Sequence, residues 1–194
     1  QFAQVFAGPG VEVVASRHGF AVYALAAQAA GASLVLADSL PRDAAMPLGH
    51  DLTAMAAAIT ERTRLIYIAN PNNPTGTWFD AAAFDAFIQR VPDNVIVVVD
   101  EAYAEYVDAP EWRSAFDWLA AYPNLIVTCT FSKAHALAGL RVGYALGHVD
   151  AIAVMERVRE SFNVNGPGLA AAVASLADAS HLRESVDATR RERD

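Results

Sequence analysis

The sequence predicts an α/β domain on a largely parallel sheet, and two observations carry that prediction. From Gly10 onward, short β-branched runs alternate with alanine-rich helical stretches, which is how strands joined by crossover helices read. The chain has 194 residues, 54% hydrophobic and 19% charged, a balance that can bury one core and does not suit a disordered or fibrous chain. A few helix-like residues open the chain. The predicted strands are then Glu12 to Ala15, Leu34 to Ala37, Leu65 to Ala69, Val95 to Val99, Leu125 to Thr130 and Val142 to Leu146. Helices are predicted between them at His18 to Ala30, Leu52 to Ile59, Asp80 to Gln89 and Glu111 to Ala121. Asp51 and Asp80 are placed as N-caps, because a short carboxylate there accepts from the unpaired N–H groups of the first turn. After the last strand only helices follow, at Ala151 to Arg159, at Leu169 to Ala177 and from His181 into the charged run Glu184 to Asp194.

Lys plus Arg number 14 against 22 Asp plus Glu, a formal charge of −8. That balance disfavours a broad grip on nucleic acid or anionic lipid and leaves small molecules or proteins as partners. Cys129 is the single cysteine, so no internal disulfide or thiolate metal cluster can form, and a cytoplasmic, reducing setting is expected. It falls inside a predicted strand, where a buried, inert thiol is expected. The uncharged stretch Gly19 to Ala37 has about the length of a membrane span, but Gln28 and then Gly31-Ala32-Ser33 divide it into helix, turn and buried strand. No membrane association is expected. His18, His50, His135, His148 and His181 show no paired ligand spacing, so they read as structural or solvated and no metal is expected.

In an open α/β sheet, ligands gather at the carboxyl ends of the strands. Three junctions stand out there. Leu65 to Ala69 runs into Asn70-Pro71-Asn72-Asn73-Pro74-Thr75-Gly76; Val95 to Val99 ends in Asp100-Glu101-Ala102-Tyr103; and Leu125 to Thr130 leads to Ser132-Lys133, with Arg141 before the next strand. If the strands are neighbours, an amide, a carboxylate, a phenol, an amine, two hydroxyls and a guanidinium converge on one rim.

Pyridoxal 5′-phosphate explains each of these types, since its ring must be held as a pyridinium, its aldehyde must meet an amine and its phosphate must be neutralised. Asp100 would pair with the ring nitrogen and favour its protonated form. Lys133 would bond the aldehyde, which calls for a desolvated site near other positive groups, and would then serve as general base and acid. Tyr103 and Asn73 would hydrogen-bond the phenolic oxygen, Arg141, Thr130 and Ser132 would hold the phosphate, and Tyr23 would stack on the ring. Taken singly, each residue has a plainer reading: a turn for Asn70 to Gly76, a surface lysine, a strand-end ion pair, a core tyrosine. Asp100-Glu101 also looks like the magnesium-binding strand of P-loop nucleotide hydrolases, but the chain contains no Gly-x-x-x-x-Gly-Lys-Ser/Thr. It likewise lacks the glycine patterns of dinucleotide binders and of serine hydrolases.

In their order and spacing, these motifs resemble the fold type I pyridoxal-phosphate aminotransferases, and within them the histidinol-phosphate aminotransferases. The match runs from His18-Gly19-Phe20-Ala21-Val22-Tyr23 through Asn70 to Gly76, Asp100 to Tyr106, Thr130-Phe131-Ser132-Lys133 and Leu137 to Tyr144, to Phe162-Asn163-Val164-Asn165. The resemblance implies a three-layer α/β/α large domain. It also implies pyridoxal 5′-phosphate held by Lys133, by Asp100 at the pyridine nitrogen, by Asn73 and Tyr103 at the phenolic oxygen and by Arg141, Ser132 and Thr130 at the phosphate, with Tyr23 as the stacking aromatic. The implied reaction moves an amino group between histidinol phosphate and 2-oxoglutarate, in a homodimer. An aromatic aminotransferase and a phosphothreonine decarboxylase of the same subgroup fit these motifs equally well, and an inactive binding or interaction module is the reading from another class. Residues 1–194 are expected to be a large domain cut at both ends, without the N-terminal arm, the glycine-rich phosphate loop and the small domain with its carboxylate-binding arginine. Cys129 stands where many relatives have Arg, and Ala136 where many have Gly.

Overall fold

Side chains that alternate along each strand sort into two layers, one on either side of a six-stranded sheet. The computed structural model describes residues 1–193. Its strands are β1 (Glu12–Ser16), β2 (Ser33–Ala37), β3 (Thr63–Ala69), β4 (Ile96–Asp100), β5 (Leu125–Thr130) and β6 (Gly143–Gly147), in the order β2-β1-β3-β4-β5-β6. Neighbours pair in parallel except β5 and β6, which are antiparallel. The helices are α1 (Phe2–Phe6), α2 (Ala21–Ala29), α3 (Leu52–Ala57), α4 (Ala81–Ile88), α5 (Val149–Arg157), α6 (Gly166–Ala177) and α7 (Ala179–Arg193). Asp194, the end of the predicted charged helix, lies outside the described residues.

Because successive strand side chains point to opposite faces, Val14, Ile66, Ile68, Val97, Val99 and Val127 pack with Met55, Phe84, Phe87 and Ile88 of α3 and α4. Val13, Ala15, Leu65, Tyr67, Val98 and Ile126 pack on the other side with Ala3, Ala27 and Ala151 of α1, α2 and α5. Asp51 and Asp80 cap α3 and α4 as expected, their carboxylates accepting from the N–H groups of Ala54 at 2.9 Å and Ala83 at 2.7 Å. No helix among the described residues is long and apolar enough to cross a membrane.

Three sequence expectations need correction. The predicted helix Glu111 to Ala121 is only a 3₁₀ turn at Ala115–Trp118. Its backbone is diverted: the Ala115 N–H goes to the Glu101 carboxylate, the Ser114 hydroxyl caps Phe116, and the Glu111 carbonyl accepts from Ala81. The second strand is not buried, because β2 is an edge strand with only Ala37 fully covered. The first long helix starts at Ala21 and not His18, since the Gly19 N–H closes a turn onto the Ser16 carbonyl.

Connection order decides where a site can form. From β1 the chain moves outward to β2, and then crosses to β3 on the other side of β1. The crevice at the carboxyl ends of β1 and β3, where the winding reverses, is left open to a ligand.

Candidate active site

The segments after β1, β3, β4 and β5 meet at that crevice. A cavity of about 120 Å³ lies there, lined by Phe20, Tyr23, Pro71, Asn73, Asp100, Tyr103 and Lys133 together with Ala69 and Ala102. It shares Pro71, Asn73 and Tyr103 with a larger cleft of about 880 Å³ that reaches Trp78, Tyr106 and Arg190 of α7.

Asp100 ends β4. Its carboxylate accepts from the Tyr23 hydroxyl at 2.9 Å and the Ala102 N–H at 3.1 Å. Burial nevertheless pushes this carboxyl above its ordinary range, against those hydrogen bonds and the charge of Lys133. Lining the cavity as it does, this carboxylate could pair with a cationic group such as a protonated ring nitrogen.

Lys133 stands on the turn after β5, exposed and not in the desolvated site expected for it, with its Nζ 5.2 Å from the centroid of the Tyr103 ring. Tyr103 precedes a 3₁₀ turn, Ala104–Tyr106, that follows β4.

The Asn70 to Gly76 loop divides its amides between structure and site. Asn70 is buried and exchanges two hydrogen bonds with the Phe79 backbone, both at 3.2 Å. Asn72, also buried, donates to the His18 carbonyl at 2.9 Å and to Thr75 Oγ1 at 2.7 Å, which ties this loop to the segment after β1. Asn73 alone of the three lines the cavity. Gly76 has φ +68°, a left-handed value that suits glycine.

Thr130, Ser132 and Arg141 form a second cluster beside Lys133, outside the cavity lining. Thr130 Oγ1 accepts from the Ser132 N–H at 3.1 Å, and Arg141 donates to the Ala138 carbonyl at 2.9 Å and to Ser132 Oγ at 3.5 Å. Arg141 itself is left-handed, at φ 55°. Two hydroxyls and an exposed guanidinium thus sit together, a donor set that matches a phosphate.

Tyr23 departs from the expected stacking role. It is 6% exposed, stacks face to face on Tyr67 at 4.7 Å and spends its hydroxyl on Asp100. Phe20, 37% exposed and packed edge-on against Tyr23 at 5.7 Å, is the aromatic that stands open at the cavity. Its signal in the sequence was position: an aromatic between a strand's carboxyl end and the next helix, at the switch point. Cys129 is half-buried on β5, and burial pushes its thiol up to about 11, leaving it protonated at neutral pH.

The family described as Aminotransferase class I and II matches residues 1–194. A Pseudomonas fluorescens protein, Histidinol-phosphate aminotransferase 2, is 52% identical over 183 residues, covering 94% of this chain and 48% of its own. Its namesake from Hydrogenovibrio crunogenus is 49% identical over 185 residues, covering 95% and 48%. The chain therefore spans about half the length of the curated relatives it matches. Among solved structures, the histidinol-phosphate aminotransferase from Sinorhizobium meliloti in complex with pyridoxal-5′-phosphate superposes with a TM-score of 0.86 at 32% identity, over 95% of this chain and 49% of that one. A Thermus thermophilus aspartate aminotransferase mutant gives a TM-score of 0.85 at 26% identity, over 97% and 51%.

Proposed function

The chain belongs to the class I and II aminotransferases, and on that premise we propose that it builds the pyridoxal 5′-phosphate site of an enzyme that moves an amino group between histidinol phosphate and 2-oxoglutarate in histidine biosynthesis. The observation that carries the reading is Asp100, half-buried and bonded to Tyr23, in the same small cavity as Lys133. The names of the relatives at about half identity support the amino donor.

When bound, the cofactor supplies an aldehyde that condenses with amines and a ring that withdraws electrons from the substrate Cα. Asp100 would hold the ring nitrogen, and its negative charge favours the protonated ring. Tyr23 orients that carboxylate from behind. Lys133 would bond the aldehyde and, once displaced by substrate, move the proton at the substrate Cα as general base and then acid. Asn73 and Tyr103 would meet the phenolic oxygen, and Arg141, Ser132 and Thr130 the phosphate. Phe20 would cover the ring face. The same reading carries a cytoplasmic homodimer. Exposed Leu169, Val173 and Leu176, spaced along one face of α6, support a surface covered in the working protein.

Two measurements test this. Pyridoxal 5′-phosphate is added, the adduct is reduced with borohydride and the modified lysine is mapped by mass spectrometry; a single site at Lys133 is expected, and scattered labelling would overturn the site. Transamination of histidinol phosphate is then compared with that of phenylalanine, and equal or better use of phenylalanine would overturn the donor.

A further inference from the structure

Two residues beyond Lys133 lies a buried imidazole that none of this chemistry uses. His135 is 8% exposed, and its ring packs on Phe131 at 4.9 Å. Its Nδ1 lies 2.7 Å from Ser175 Oγ on α6. On its other side, Nε2 lies 3.8 Å from Glu105 Oε1, in the 3₁₀ turn that begins just after Tyr103. One side chain thus joins the Lys133 turn, the Tyr103 turn and α6.

The two contacts differ in kind: at 2.7 Å the ring shares a hydrogen bond with the Ser175 hydroxyl, whereas at 3.8 Å its contact with the Glu105 carboxyl group is electrostatic and longer than a direct hydrogen bond. Within the Lys133 turn, the Ala136 N–H donates to the Lys133 carbonyl and the Leu137 N–H to the Phe131 carbonyl, both at 2.9 Å, with Ala136 left-handed at φ 58°, while Phe131 and Ser132 tie the turn back to Val142, Thr130 and Arg141. None of these hydrogen bonds reaches the Tyr103 turn, which Lys133 meets through its ammonium over the Tyr103 ring.

We propose that His135 is a positioning residue, a clamp that holds the Lys133 turn against the Tyr103 turn through Glu105 and anchors both to α6 through Ser175. The proposal rests on the reading of Lys133 and Tyr103 as cofactor residues.

His135→Phe keeps a flat ring against Phe131 and removes both polar contacts, whereas His135→Gln returns an amide N–H to the place of Nε2. Two readouts are taken on each: the rate at which pyridoxal 5′-phosphate labels Lys133 after borohydride trapping, and hydrogen exchange without cofactor in peptides spanning residues 101–107 and 131–137. His135→Phe is expected to slow labelling roughly fivefold to tenfold, the equivalent of about one lost hydrogen bond. It should also loosen both turns together while β1 and β3 keep their protection, and His135→Gln should recover part of each effect. Labelling within about twofold of wild type with unchanged exchange in 101–107 would overturn the clamp, as would loosening throughout the sheet, which marks a plain core role. If the wild-type chain forms no adduct at Lys133, the cofactor reading falls and exchange decides the clamp alone: joint loosening of the two turns supports it, and unchanged exchange overturns it.

Discussion

Glu101 follows Asp100 and points to the opposite face of the sheet, under the Ser114–Ala115 segment. It is 1% exposed, accepts from Ser114 Oγ at 2.7 Å and from the Ala115 N–H at 2.5 Å, and is still pushed by burial from its usual 4.5 up to about 7, with Glu105 and Asp117 adding to the rise. The folded chain therefore binds this proton more tightly than the unfolded chain does. Its contribution to stability is fully present below about pH 4.5 and is lost as pH rises through about 7. At about 1.4 kcal/mol for each tenfold change in proton affinity, ionising Glu101 costs the fold roughly 3 kcal/mol. Glu101→Gln keeps both contacts, since the amide oxygen accepts from Ala115 and the amide N–H₂ donates to a rotated Ser114 hydroxyl. Urea unfolding of both proteins from about pH 4 to pH 8.5 gives a difference curve in which groups common to the two cancel. His50 is the important one: burial lowers it to about 4, so its contribution is lost as pH falls below the usual 6.5, in the opposite sense to Glu101. The difference should be near zero at the acid end and rise to about 3 kcal/mol in favour of Glu101→Gln above about pH 8. A flat difference, or a less stable variant at pH 8.5, would refute the reasoning.

Two further outcomes follow from the packing. Tyr23→Phe keeps the stack on Tyr67 and removes the 2.9 Å hydrogen bond to the Asp100 carboxylate, so unfolding at about pH 8 should show a loss of about 1.5 to 3 kcal/mol that shrinks as the carboxyl protonates in acid; an equal loss at both ends would speak against the bond's charged character. Phe87→Ala empties a position 2% exposed between α4 and the sheet, and should cost about 3 to 5 kcal/mol by urea titration. A loss under about 1 kcal/mol would mean that this core is not packed as described.

The strands and the residues at their carboxyl ends were legible because each signal is local. A β-branched run is a strand by its own side chains, and a carboxylate, an amide loop or a lysine just past it belongs to the ligand side of an open sheet. Asn73, Asp100, Tyr103 and Lys133 could be named without knowing which strands touch, and the structure gathers them in one cavity. Tertiary structure alone decided what those residues lean on. Tyr23 reaches Asp100 across 77 positions and His135 reaches Ser175 across 40, contacts that leave no periodicity in the chain. The lost helix at Glu111 to Ala121 has the same cause. Its composition favours helix, but the buried carboxyl group of Glu101, just after β4, takes the Ala115 N–H that a helical turn would have used, and satisfying a buried polar group outweighs a propensity of a few tenths of a kcal/mol per residue.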